Sequence, residues 1–537
     1  MRRAVAVPPP PPCASHPSLL PWPHRSSPAA RLDMGTCVHA RAPFLWGVHH
    51  SRGQSVALRA AFTRHGTRDR RPASFNPRCC SFLCGVDEPD IKAMLDAIPL
   101  TKRSQAYETD EVRRRLAVAQ GRSLTAQTYP TNGGAFIPLA QMHALGQDAH
   151  MRVTLVWDVV NAGDVANSAA YQCSYIGQTI TVQSSTGSLT SVMSNFCTAQ
   201  HLVTGTAGAR RGELMRARSE AAAQYWEAAL RVRPVQDAFI VVDPAVQAHF
   251  NVTIDPVPNT DLVIIMTARP SPRRPVAGYA RCMQADQHNR CTVGWFNWVP
   301  ELLDVDTPNA ANTIASEMHT ALHEIVHVLG GMNPGSSAAN SKFIDDLGLP
   351  VEPRGNVFIS ETDTAYARPV TKIVTPRVLN VTRTHFGCAT MNGFPLEDVP
   401  LGAGSHWEAR LAGPELMSYG SGSGQVYVSD LTFAYLEDTN HYIANYSMGG
   451  KLTPDQVDEF RSSDLSFLRT SDAPSTYTPP PPHSPGALTW GRGEGCAFAQ
   501  GHAKNWPAKY VCAQNQDYGC TPDNRMSAVC MVSATYN

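Results

Sequence analysis

No run of about 18 consecutive apolar residues occurs in the chain, so nothing in it has the length and composition of a membrane-spanning helix. Net charge is missing too. Forty-five Lys and Arg stand against 45 Asp and Glu, so no overall field draws the protein toward nucleic acid or an anionic membrane. No basic stripe interleaved with aromatics is present either, and no nucleic-acid partner is expected. Acidic residues are almost absent from positions 1–86, where Pro, Arg and Ser dominate, and this argues against a packed domain there. Those positions read as a disordered leader or pro-segment. Their first stretch, MRRAVAVPPPPPCASHPSLLPWP, lacks the continuous apolar core of a secretory signal peptide, and its Arg-rich, acid-poor character also suits an organellar transit peptide.

What the chain does have is cysteine: fourteen, more than a reduced cytosolic enzyme usually carries. Three N-x-S/T sequons, at Asn251, Asn380 and Asn445, point the same way. A secreted or cell-surface glycoprotein stapled by disulfides is expected, with an organellar protein as the alternative.

Helical and strand patterns alternate from residue 87 onward. MRVTLVWDVV (151–160) reads as a strand, GELMRARSEAAAQYWEAALRVRPV as an amphipathic helix, and DAFIVV and DLVIIMTA as buried strands. The alternation predicts a mixed α/β (α+β) domain. Its first part spans 87–331 and its second 332–470. A proline-rich linker or insertion follows at 471–487, containing SDAPSTYTPPPPHSPG, and then a Cys-rich module at 488–537 with four closely spaced cysteines.

The chemistry centres on ALHEIVHVLGG, 321–331. Positions i and i+4 lie one above the other on a helix, so His323 and His327 can present two imidazoles to one metal ion, with Glu324 beside them as a candidate general base. Thr307 and Pro308 give this helix an N-cap and first-turn proline, and Gly330 with Gly331 ends it. The helix is expected to be buried on one side and open to a cleft on the other. A hydrolytic zinc site needs three protein ligands and one open position. Glu352, the nearest downstream glutamate, sits in a Pro/Gly loop that suits a ligand helix poorly. Gly330 completes H-E-x-x-H-x-x-G, after which the chain turns toward a third histidine; position 333 of the compact pattern is Asn. His385, His406 and His441 remain as candidates. His319, four before His323 on the same helix, cannot easily close a tetrahedron.

GAGSHWEARLAGPELMS resembles the third-ligand and Met-turn segment of the leishmanolysin family, zinc metalloproteases of the metzincin clan. The resemblance extends through NTDLVIIMTA, TIASEMHTALHEIVHVLG, RTHFGC, LTWGRGEGCAF and NWPAKYVC, over roughly residues 150–530. It implies a metzincin-like catalytic domain with an HExxH helix and a Met-turn, followed by a small disulfide-rich module. One Zn2+ would be held by His323, His327 and His406, with Glu324 as general base and Met417 beneath the metal. The implied function is endopeptidase action on proteins or peptides. The alternative is a catalytically silent, protein-binding or adhesion relative on the same scaffold. The resemblance also implies disulfides Cys173–Cys197, Cys388–Cys496 and Cys512–Cys530. Cys282 and Cys291, with no distant partner, can close a short loop together, and Cys520 is left over. His385 would be structural. Tyr419, two after Met417, is a candidate transition-state group by analogy with some metzincins. Cys37, in TCVHARA, resembles the Cys-x-His of leishmanolysin pro-segments, whose thiolate can block a zinc site and so act as a latency switch.

Overall fold

The computed structural model describes most of residues 137–451 and 485–510, with short stretches at 83–84, 101–102, 518–520 and 527–529. Most of the leader and of the proline-rich stretch, with Cys37, Tyr419, Cys512 and Cys530, lies outside the described residues. The chain divides into two compact units, Cys80–His502 and a second made of Met1–Cys79 with Ala503–Asn537. In the second, Tyr518–Cys520 and Ser527–Val529 form an antiparallel hairpin.

The first unit is a mixed α/β structure. Its main elements, in chain order, are β1 (Val153–Val156), α1 (Gly205–Ala229), β2 (Leu262–Thr267), β3 (Val276–Ala285), β4 (Cys291–Trp298), α2 (Ala311–Leu329), β5 (Phe358–Asp363), β6 (Arg368–Ile373), α3 (Pro376–Phe386), β7 (Phe394–Val399), β8 (Gly402–Trp407) and α4 (Asp430–Asp438). The central sheet runs β3-β4-β2-β1, with β2 parallel to both its neighbours and β3 antiparallel to β4. Every residue of β2 is buried, because both faces of the sheet are covered. Val263 and Ile265 join a core with Tyr171, Phe250, Tyr279 and Trp295 on one face. A second sheet, β5-β6-β7-β8, is antiparallel throughout.

Helices α1 and α2 are joined by a buried ion pair, Arg218 Nε to Glu317 Oε2 at 2.9 Å, and by the Trp226 indole donating to the Leu322 carbonyl at 3.2 Å. Two strand glycines let α2 settle onto the sheet. A Cβ on Gly294 would lie 2.3 Å from Val328 Cγ1, and one on Gly278 would lie 3.1 Å from Glu324 Cγ. Any side chain at Gly294 would lift the helix from its seat.

Several expectations need correction. Helix α2 begins at Ala311, not at Thr307–Pro308. Asp304 draws Thr307 into a turn, accepting its backbone N–H at 2.9 Å and its hydroxyl at 2.6 Å, which satisfies the groups a helical start would have used. The helix is open to a smaller extent than expected: Ala311 is exposed and Thr313, Ser316 and His319 are half-buried, but residues 320–330 are buried throughout, against the sheet, α1, His406 and Leu416. Only Val153–Val156 of the 151–160 stretch is strand, and Asp158–Asn161 already turns helically. The final Leu230–Val232 of the long amphipathic pattern leaves the helix as a short strand.

Three disulfides are present among the described residues: Cys173–Cys197, Cys282–Cys291 and Cys388–Cys496. The first two close loops of 24 and 9 residues, whereas the third ties the end of α3 to residue 496, a separation of 108. Of the sequons, Asn251 is exposed in a left-handed turn (φ 48°). Asn445 is buried, with its side-chain carbonyl accepting from Ser447 N and Oγ at 3.1 and 2.6 Å, so this sequon is part of a folded turn. No described helix is long and apolar enough to cross a membrane.

Candidate metal centre

The two histidines of α2 lie one turn apart on its buried surface, each 4% exposed, and Glu324 is 1% exposed. Past the helix, Gly331 takes a positive φ of 51°, and the last carbonyls are satisfied by tyrosines: Tyr442 Oη donates to Leu329 O and Tyr435 Oη to Gly331 O, both at 3.0 Å. His406 arrives on β8 and is fully buried. Its neighbour Trp407 anchors it. The Trp407 backbone N–H donates to Met417 O at 2.8 Å, and the indole donates to Thr432 Oγ1 at 3.1 Å.

The three imidazoles converge through their Nε2 atoms. His323 lies 3.0 Å from His406 and 3.1 Å from His327, and His327 lies 3.3 Å from His406. Among the described residues they are the one group of three or more His, Cys, Asp or Glu whose ligand atoms all lie within 4.8 Å of one another. A tetrahedral ion with Zn–N bonds of 2.0–2.1 Å would set the nitrogens about 3.3 Å apart, so the triangle is of the right size. Proton accounting agrees with this for His323. Its Nδ1 lies 2.7 Å from Leu416 O, a carbonyl that can only accept, so the proton sits on Nδ1 and the Nε2 lone pair points into the triangle. Burial first, and then the neighbouring His327 and His406, hold His323 well below the ordinary imidazole range, so it is a neutral donor. A lone pair turned toward two other imidazoles in a buried space fits a cation.

The other histidines are not part of the triangle. His385 donates from Nε2 to Trp490 O at 2.7 Å and holds residues 485–502 against α3. His441 is buried on the segment after α4, and its Nε2 has no hydrogen-bond partner among the described residues. His319 rests with its ring 5.5 Å from that of His323, outside the trio. Met417 is fully buried in the turn that follows His406, and the structure adds two contacts that spacing alone does not reveal. One is the Leu416 carbonyl on His323 Nδ1. The other is the close approach of Gly278 to Glu324, for which a glycine between apolar strand residues was the available signal.

His385 supports a pH prediction. Burial lowers its pKa to about 4 despite the bond to Trp490 O, whereas the unfolded chain titrates near 6.5. Below pH 6.5 the unfolded state therefore binds the extra proton first. Its contribution to stability is complete above pH 6.5 and is lost as pH falls toward 4, by roughly 3 kcal/mol. Urea unfolding of wild type and His385→Gln should show the steeper acid loss in the wild type, because glutamine keeps a donor for Trp490 O without a titrating group. Identical pH slopes would remove His385 from the account.

Comparison with known proteins adds a second line. The leishmanolysin family model matches residues 143–455, more than half of the chain. The chain belongs to the leishmanolysin family. This is a family of metallopeptidases, and all three converging histidines and Glu324 lie inside the matched span. A leishmanolysin-like peptidase of Drosophila melanogaster is 30% identical over 281 residues, covering 46% of this chain and 34% of its own length. One of Caenorhabditis elegans is 31% identical over 229 residues, or 36% and 33% of the two chains. The leishmanolysin of Leishmania donovani is 25% identical over 390 residues, 70% of this chain and 54% of its own. The chain thus spans about a third of the two leishmanolysin-like peptidases and about half of the Leishmania leishmanolysin.

Proposed function

We propose that this leishmanolysin-family chain is a zinc-dependent endopeptidase that hydrolyses protein or peptide substrates. The observation that carries the reading is the convergence of three buried Nε2 atoms, 3.0–3.3 Å apart, beside a glutamate on the same helix. His323, His327 and His406 would hold the ion. Bound zinc would supply Lewis acidity, polarising the scissile carbonyl and making a water acidic enough to attack near neutral pH.

The remaining work falls to the chain. The Leu416 carbonyl keeps the His323 proton on Nδ1 and so keeps Nε2 available. Glu324 takes the proton of the attacking water on its carboxylate and passes it to the leaving amine. Gly278 of β3 leaves room for the Glu324 methylene that carries this carboxylate. Met417, fully buried two residues after Glu415, would serve as the methionine of a Met-turn, a packed floor that limits movement of the imidazoles. Three disulfides support a secreted or cell-surface location.

The deciding experiment is metal analysis together with peptide hydrolysis before and after chelation. One zinc per chain and activity lost on chelation and regained with zinc are expected. Chelator-insensitive hydrolysis, or a zinc-loaded wild type with no hydrolysis of a broad peptide library, would reject the proposal.

A further inference from the structure

Glu415 is a fully buried carboxylate two residues before Met417, and the protonic role assigned to Glu324 gives it nothing to do. Its described partners are two hydroxyls and the backbone N–H groups of Met417 and Ser429, with no cation among them. Oε1 accepts from Ser429 Oγ at 2.7 Å and from Thr432 Oγ1, and Oε2 accepts from the Met417 N–H.

The direction of these bonds follows from what lies behind each hydroxyl. Ser429 Oγ already accepts from Leu431 N and Thr432 N at 3.2 and 3.3 Å, as the N-cap of α4. Thr432 Oγ1 already accepts from the Trp407 indole at 3.1 Å. Both hydroxyl protons are therefore free to point at Glu415. Only donors meet this acceptor-only group, and the group is matched as an anion. Burial alone works against the charge, and it raises the Glu415 pKa to about 7 despite these bonds.

The carboxylate sits where three segments meet: the turn 415–418, strand β8 through Trp407, and the start of α4. Both kinds of ligand segment reach this junction. Leu416, held between two residues that Glu415 bonds or belongs to, offers its carbonyl to His323 Nδ1 at 2.7 Å. Met417 O accepts from Trp407 N at 2.8 Å, next to His406. We propose that Glu415 is the positioning residue of the metal centre: its buried carboxylate fixes the 415–418 turn, and through it the proton position and ring plane of His323 and the seat of His406. The inference rests on reading the three histidines as the metal site.

Glutamine is not a neutral replacement here. Whichever way round its amide lies, an N–H faces a group that already donates, either Met417 N or the two hydroxyls. Zinc affinity can be measured by competition with a chromogenic chelator on the full chain, for wild type, Glu415→Gln, Glu415→Asp and Thr432→Val. Exchange of imidazole N–H protons is followed in parallel after histidine-selective nitrogen-15 labelling. E415Q is expected to weaken zinc binding 10–100-fold and to speed exchange of the His323 Nδ1 proton. E415D, which keeps the charge, should recover part of that loss. T432V, which removes one donor and leaves the others, should stay within about threefold of wild type. Should E415Q fail to fold, the order of E415D and T432V in zinc affinity and proton exchange carries the same comparison.

Wild-type affinity in E415Q would overturn the proposal. So would a T432V loss equal to that of E415Q, since helix packing rather than the carboxylate would then set the turn. A wild-type chain that binds no zinc would instead remove the metal-site reading, and the inference with it.

Discussion

Glu324→Ala is expected to keep its zinc while losing peptide hydrolysis by about four orders of magnitude. The substitution removes the proposed general base, but none of the three converging nitrogens. Stoichiometric metal and a near-wild-type melting temperature should accompany the lost rate. If more than about a tenth of the wild-type rate survives, Glu324 is not the base. If the zinc is lost instead, the carboxylate is holding the ligands in place.

His406→Ala is the other large effect. It takes away one corner of a triangle whose remaining two nitrogens lie on a single helix, and two imidazoles one turn apart do not enclose a tetrahedral ion. Release of zinc and complete loss of hydrolysis are expected. His385→Ala and His441→Ala should both keep one zinc per chain, since His385 is committed to Trp490 O and His441 is not among the converging ligands. Metal analysis of the three purified variants separates the cases. Loss at 385 or 441 with retention at 406 would mean that the third ligand has been misassigned.

The helical pair at 323 and 327 was legible from spacing alone, because a four-residue interval on an apolar, periodic stretch leaves little choice of geometry. His406 was not. Seventy-eight residues separate it from His327, and no local rule connects a strand end to a distant helix; it took the resemblance of GAGSHWEARLAGPELMS to single it out from His385 and His441. The α/β character was readable in the alternation of patterns, with β2 plain as an unbroken apolar run. The start of α2 was misread because Thr307 and Pro308 form a good local cap signal, and the Asp304 carboxylate that overrides it lies just upstream. Leu416 and Glu415 were invisible for another reason. One acts through a backbone carbonyl, which carries no residue signature, and the other matters only through what folds around it.

The Cys388–Cys496 bridge decides how the chain responds to proteolytic nicking. His406, Glu415 and Met417 all belong to the 108-residue loop that this bridge closes, while His323 and His327 stand outside it. A single cut anywhere between residues 389 and 495 therefore opens the loop without releasing either fragment. The clipped molecule stays in one piece until a reductant reaches the sulfurs, and the half of the centre carried by the loop keeps one chain connection, to α3 or to residue 496, according to the side on which the cut falls. A nicked sample would pass for an intact one in any separation run without thiol, and the two pieces would part only on reduction.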